Sequence, residues 1–323
     1  MKVLYGIQLT GNGHLTRSIE LINQLKKRSI DVDIIVSGDN SSIEIPFDVK
    51  WRFKGISIYY NSEGEVDCWK TLKNMKLIKF FRDTNIDVSE YDLVISDYEP
   101  ISCWGARKHK VNCIGISNQY SLFYKKNLSI KYKMLNYFSK FFTPCNYYLG
   151  LDYLPTHSNI FQPIISDKFL NVKSVNKNFI LVYLPSYKLT NLLDVIVEFK
   201  NIQWVIYSDE IQKEMKVKNI TIRKINREKF QNDLINCESV ITASGFSTTS
   251  EALILQKRLW SIPLKFHTEQ KLNSNSLEEI GVFTGNFTKG NVYKWIIDYK
   301  KINYNWVNPN DEIVNFIINF NKK

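Results

Sequence analysis

The sequence is poor in the residues that make covalent or metal frameworks. Its five cysteines (Cys68, Cys103, Cys113, Cys145 and Cys237) are odd in number and contain no C-x-x-C pair, which argues against both a disulfide framework and a zinc site. Four histidines far apart in the chain supply no ligand cluster, so no metal and no disulfide partner are expected. Asp31-Val32-Asp33 has D-x-D form, but it opens a strand rather than ending one and reads as a turn. No segment reaches about 18 uncharged apolar residues, the length of a membrane span. Met1–Ile7 is strand-like from its first residues, without the charged start and apolar run of a signal peptide. The expected location is the cytoplasm, with peripheral attachment at the inner face of the membrane as a second option.

Acid is absent from one long stretch. Between Pro100 and Leu151 there is no Asp or Glu, while Arg107, Lys108, Lys110, Lys125, Lys126, Lys131, Lys133 and Lys140 carry most of the net charge of +11. Such asymmetry implies an anionic partner at one face, or else a solvated basic surface. Within it, Ile130–Phe142 interleaves lysines with Tyr132, Met134, Leu135, Tyr137, Phe138, Phe141 and Phe142. Three readings fit this pattern: an interfacial helix on anionic lipid, a nucleic-acid contact with stacking aromatics, or a buried helix.

What the sequence has in plenty is alternation. Val3–Ile7, Val32–Val36, Ile56–Tyr60, Leu93–Ser96 and Asn112–Ser117 read as strands. Helical patterns lie between them at His14–Lys27, Trp69–Phe81 and from Pro100. The second half repeats the scheme, with strands Phe179–Leu184, Trp204–Tyr207, Ile220–Arg223, Ser239–Thr242 and Leu259–Ile262. Its helices are expected at Leu192–Phe199, Glu228–Asn236, Thr248–Leu255 and Glu269–Ile280. Strands alternating with helices imply an α/β fold with parallel sheets. The expected division is 1–165 and 178–307, two Rossmann-like domains, with 308–323 as a closing helix that packs on the first.

Two turns lie where strands feed helices. Thr10-Gly11-Asn12-Gly13-His14 lets backbone amides approach a ligand, with a helix dipole behind it, but it is not the G-x-G-x-x-G of a dinucleotide site. Ser244-Gly245-Phe246-Ser247-Thr248 puts small and hydroxyl residues at a helix start, where they suit diphosphate oxygens. Glu251 follows one turn later, within reach of a ribose. His267, Glu269, Gln270 and Asn273 come after the strand that ends in Ile262-Pro263 and suit sugar hydroxyls. Ser186, closing the strand at Phe179–Leu184, joins the donor candidates, as does Gly13. His14 is the first choice for a general base. Asp97 and Glu99 follow a strand's carboxyl end; each is a base, a group that orients His14, or an acid complementing a helix start.

The run from Thr242 to Asn273 resembles the donor-binding signature of GT-B glycosyltransferases, the MurG-like and UDP-glucuronosyltransferase-like enzymes of the family 28/1 type. Gly245, Phe246, Thr248, Glu251, Pro263, Glu269, Gln270 and Asn273 match it in order, and Gly11-Asn12-Gly13-His14-Leu15-Thr16-Arg17 is similar to its G-x-G-H-x-x-R opening. The resemblance implies two domains facing across a cleft and metal-independent transfer from a nucleotide-sugar, a UDP-sugar in most similar enzymes, with no further cofactor. It places Ser244, Gly245 and Thr248 near the diphosphate, Glu251 on the ribose, and Glu269 and Gln270 on the sugar. The implied acceptor is an envelope, lipid-linked or surface glycan. A DNA-base glycosyltransferase, a sugar-nucleotide epimerase and a non-catalytic binding subunit are the alternatives. Two departures stand out: Ala243 replaces the signature's leading His, and Gln256-Lys257-Arg258 replaces Gly-x-Pro, with a basic side chain either compensating or exposed. The absence of a Glu eight residues before Glu251 favours inversion.

Overall fold

The computed structural model describes residues 1–9, 12–38, 45–55, 77–172, 175–265, 267–298 and 302–320. It divides into two compact units, the first holding the described residues up to 166 together with those from 307 onward, the second holding those from 167 to 306. The strand expected at 56–60 and the expected helical residues 69–76 lie outside the described set, as do Thr10 and Gly11.

The first unit is built on seven strands: β1 (Lys2–Gln8), β2 (Asp31–Ser37), β3 (Trp51–Phe53), β4 (Leu93–Asp97), β5 (Cys113–Ser117), β6 (Tyr147–Leu151) and β7 (Ile160–Phe161). They lie in the order β3-β2-β1-β4-β5-β6-β7, every pair parallel. All five residues of β4 and of β5 are buried, as continuous apolar strands covered on both faces must be. Helices α1 (Asn12–Lys27), α2 (Leu77–Asp83), α3 (Pro100–His109) and α4 (Ile130–Phe142) connect them. Asp31 and Asp33 stand within β2 rather than in a turn, and Asp33 accepts from Lys50 (2.8 Å) and Tyr91 (2.7 Å).

In the second unit, β8 (Phe179–Tyr183), β9 (Gln203–Ser208), β10 (Met215–Val217), β11 (Ile220–Lys224), β12 (Ser239–Ala243), β13 (Arg258–Ile262) and β14 (Phe283–Thr284) form a sheet ordered β10-β11-β9-β8-β12-β13-β14. Only the β10–β11 pair is antiparallel. Its helices are α5 (Asp167–Leu170), α6 (Leu189–Ile196), α7 (Arg227–Asn236), α8 (Phe246–Ile254), α9 (Thr268–Glu279) and α10 (Lys289–Ile297). Lys257 is neither exposed nor turned to a ligand: its ammonium donates to the carbonyls of Ile235 (2.7 Å) and Cys237 (2.6 Å), closing the end of α7. Arg258 lies over Trp295, 4.5 Å from the ring centre.

The last helix, α11 (Asn310–Phe320), belongs to the first unit. Its Ile313, Val314 and Ile317 are buried, Phe316 and Phe320 pack on Tyr147, and Asp311 pairs with Arg28 at 2.8 Å.

Each sheet reverses strand order at one point, between β1 and β4 in the first and between β8 and β12 in the second. At such a point the loops leaving two adjacent strands diverge and open a crevice beyond the carboxyl ends. In the first unit Gly6 sets how closely α3 approaches it, since a Cβ there would lie 2.4 Å from Ser102 Oγ and 3.0 Å from Glu99 Oε2. Gly6→Ala is expected to cost about 1–3 kcal/mol, as overpacking does. Adding Ser102→Ala should recover part of that loss in chemical unfolding; an unchanged midpoint for the single variant would show that α3 yields freely.

Candidate functional site

In the first unit the reversal point collects a buried polar cluster. Helical spacing puts His14 and Arg17 on one face of α1, and the parallel register sets Asp97, the last residue of β4, beside Ile7 of β1. Arg17 grips Asp97 with two nitrogens, Nε to Oδ2 (2.7 Å) and Nη2 to Oδ1 (2.6 Å), and Ser18 adds a bond to Oδ2 (3.1 Å). Nδ1 of His14 lies 2.7 Å from Oδ1 of the same carboxylate. Burial pushes the Asp97 carboxyl up, but Arg17 and His14 outweigh it and hold the group at about 2, so it is ionised.

His14 Nδ1 lies between two charged partners. Arg17 Nη2 is also 2.7 Å from His14 Nδ1, 2.6 Å from Asp97 Oδ1 and 2.9 Å from Ser117 Oγ, three neighbours for its two hydrogens. In the tautomer whose Nδ1–H donates to Asp97, Nε2 keeps its lone pair. Arg17 Nη1 reaches Asn118 Oδ1 (3.2 Å), so β5 is tied into the same cluster.

Tyr98 follows Asp97 with a φ of 57°, a left-handed conformation that a bulky side chain adopts at a cost. That turn aims its ring at His14, stacked at 6.4 Å, while its hydroxyl meets Ser139 of α4 at 2.9 Å. Glu99 stands at the start of α3. It is fully buried, and its carboxylate caps α3 by accepting from the amides of Ile101 (2.9 Å) and Ser102 (2.7 Å).

The second reversal point lies where β8 and β12 end. Ser186 sits exposed in the turn after β8. After β12, Ser244 is fully buried: its hydroxyl turns inward to Ser261 (2.7 Å) and its amide donates to the Ile262 carbonyl (3.1 Å), so it does not face a ligand as expected. Phe246 opens α8 and is buried. Of the hydroxyls that follow, Thr249 and Ser250 bond back to their own helix at Gly245 and Phe246. Ser247 and Thr248 are half-buried, and among the described residues no hydrogen bond takes their hydroxyls. Gly245 caps α8 without a side chain, in an extended conformation open to any residue, and a Cβ there would meet nothing within 4 Å. The fold does not demand a glycine at this place; it leaves space in front of the helix start.

Glu251 completes this face. It is 7% exposed, and among the described residues no hydrogen bond reaches its carboxyl. Burial pushes the group up to about 8, with Arg227 and Lys168 acting weakly in the other direction. Gln270 and Asn273, both on α9, brace the crevice walls: Gln270 Oε1 accepts from the Leu264 amide (3.0 Å), and Asn273 donates to the Ser244 carbonyl (3.0 Å). His267 caps α9 by accepting from the Gln270 amide (3.3 Å), and Glu269 stands half-buried in that first turn. Gly13 lies in the first turn of α1 beside His14.

The basic stretch divides. Lys125 is paired with Asp152 (2.9 Å), the first acid beyond the acid-free run, and Lys108 donates to Asn85 (2.8 Å). Arg107 lies over Trp104, whereas Lys126, Lys131 and Lys133 are exposed. On α4 the buried-helix reading fails: only Ser139 is buried, while Ile130, Met134, Tyr137, Phe138 and Phe141 are 55–81% exposed along one stripe.

Arg17, Ser117, Asn118 and Tyr98 were not assigned roles from sequence. Arg17 carried a signal, three residues after His14 on a helix; the other three are brought in by the neighbouring strands.

No curated protein sequence matches the chain. Solved structures do, at low identity. The glycosyltransferase SnogD from Streptomyces nogalater is 14% identical with a TM-score of 0.56, covering 92% of this chain and 91% of its own. Arabidopsis thaliana UGT89C1 complexed with UDP is 12% identical with a TM-score of 0.62, covering 97% and 98%. CalG4, the calicheamicin glycosyltransferase, is 12% identical with a TM-score of 0.53, covering 91% and 88%. The two parallel-dominated α/β units are thus those of the GT-B fold. The family model described as glycosyl transferase family 1 matches residues 1–294, and the chain belongs to that family of glycosyltransferases.

Proposed function

We propose that this glycosyltransferase moves a sugar from a UDP-sugar to an acceptor hydroxyl with inversion, using His14 as general base. The observation that carries the reading is the 2.7 Å contact between His14 Nδ1 and the ionised Asp97. With Nδ1–H committed to an ionised Asp97, Nε2 is the nitrogen able to take a proton, and Asp97 stabilises the imidazolium that results. The acceptor oxygen, losing its proton to Nε2, attacks the anomeric carbon as the bond to the diphosphate breaks. Arg17 keeps Asp97 charged and is a positioning residue.

The donor half of the reading is supported by the second unit. The amides at the start of α8, which no side chain caps, and the hydroxyls of Ser247 and Thr248 suit diphosphate oxygens, and the space before Gly245 admits them. Glu251, buried without a hydrogen-bond partner among the described residues, suits a ribose diol that donates two hydrogen bonds. UGT89C1 has been crystallised with UDP and with UDP-L-rhamnose, which supports a UDP-sugar here.

For the acceptor, the exposed stripe of α4 with Lys131 and Lys133 favours a lipid-linked or membrane-surface glycan. Aromatics on such a helix insert between headgroups, and each nearby lysine adds about 1 kcal/mol on anionic lipid.

Three outcomes are expected. First, His14→Ala and Asp97→Asn should each lower kcat at least 100-fold, with UDP binding by calorimetry unchanged. Transfer at wild-type rate by either variant would remove the base assignment, and conversion of the donor without acceptor would make the protein an epimerase. Second, Glu251→Gln should weaken UDP at least tenfold yet stabilise the fold at high pH. The folded carboxyl holds its proton to about 8 against an ordinary 4.5, so the folded state binds more protons between those values and stability falls as pH rises. Relative to wild type, the variant should gain several degrees in melting temperature at pH 8 and nothing at pH 4. A variant as tight for UDP as wild type would free Glu251 from the donor. Third, Tyr137→Glu with Phe141→Glu should abolish sedimentation with anionic vesicles. Salt-sensitive binding to duplex DNA in place of vesicles would point to the nucleic-acid acceptor instead.

A further inference from the structure

Three cysteines that lie far apart in the chain meet in the first unit. Cys103 is on α3, Cys113 opens β5, and Cys145 lies in the link from α4 to β6. Their sulfurs form a triangle with sides of 3.4, 3.5 and 3.9 Å. Cys103 and Cys113 are buried and Cys145 is half-buried. The fold protects this arrangement: a Cβ on Gly115 would lie 3.0 Å from Cys145 Sγ and 2.7 Å from the Tyr120 ring.

An ion at the centre of such a triangle lies roughly 2 Å from each sulfur, close to the ~2.3 Å of a zinc–thiolate bond after slight expansion. Zinc needs a fourth ligand in a closed site, and among the described residues this group includes no histidine or carboxylate. Three sulfurs and nothing else suit a soft ion that accepts low coordination. There is also a way in. Cys145 lines a cavity of about 470 Å³ together with Arg107, Lys110 and Lys140. A monovalent ion on three thiolates forms a doubly negative complex, and cations along that wall offset its charge.

We propose that Cys103, Cys113 and Cys145 bind a soft monovalent cation, copper(I), in trigonal three-thiolate coordination. Binding replaces three S–H bonds by three sulfur–metal bonds; the protons leave to solvent and no electron is transferred. The site is separate from the His14 cluster and does not rest on the transferase mechanism.

The test is anaerobic titration of the phosphine-reduced chain with copper(I) against a chromogenic copper(I) chelator, followed by X-ray absorption spectroscopy. One tightly held ion per chain with three sulfur neighbours is the expected result. Cys145→Ser should lower affinity at least 100-fold, while Cys237→Ser, a buried cysteine outside the group, should leave it unchanged. The absorption spectrum on the wild-type chain needs no variant, so a misfolded Cys145→Ser does not stall the test. No uptake against the chelator, fewer than three sulfur neighbours, or equal affinity in a folded Cys145→Ser would each overturn the proposal. So would a thiol count showing Cys103 and Cys145 joined as a disulfide in place of ion uptake.

Discussion

The bidentate pair between Arg17 and Asp97 is the constraint on which the first unit's site depends. Both side chains are buried, at 4% and 1% exposure, so each charge has lost its water and is tolerable only because the other is there. The pair also does more than neutralise. By binding both Asp97 oxygens, Arg17 fixes the carboxylate against which His14 Nδ1 rests. A lone aspartate at the same place, buried without the guanidinium, would be pushed toward its neutral form and would orient nothing.

The second unit is built on the opposite principle. Where the first satisfies its buried acid, the second leaves Glu251 without a hydrogen bond among the described residues and accepts a carboxyl held near 8. It likewise leaves Ser247 and Thr248 unspent while tying down their neighbours Thr249 and Ser250. A binding surface needs such unsatisfied groups, since a group already bonded within the protein gains little from a ligand. Bracing comes instead from residues one layer back. Asn273 and Gln270 hold the loops on which the open groups stand.

The sequence made the central strands legible because parallel sheets bury both faces, so β1, β4, β5, β8, β12 and β13 read as short, mostly apolar runs. Edge strands β3, β7, β10 and β14 are two or three residues long and carry no such signal. The reversal points were legible as glycine and hydroxyl turns after strands. The direction of a side chain at those turns was not: Ser244 and Ser247 look alike in sequence, yet one faces Ser261 and the other does not. Lys257 illustrates the same limit, since what it meets, the end of α7, is about 20 residues away in the chain. The cysteine triangle was wholly hidden. Its members belong to a helix, a strand and a loop, and only the packing of α3 on the sheet brings them together.

Tyr98 connects these levels. A left-handed φ between two acids would ordinarily select glycine, because glycine pays no steric cost there. Keeping a tyrosine instead makes sense if its ring is needed where that φ sends it. The ring packs on His14 at one side and against Phe142 of α4 at the other, and its hydroxyl meets Ser139 of the same helix. The exposed stripe of α4 is therefore one side chain away from the proposed base. Whatever seats that stripe, lipid or another anionic surface, bears on a helix whose inner residues hold the tyrosine that flanks His14. Strain at one backbone position thus gives the surface helix a direct packing route to the imidazole.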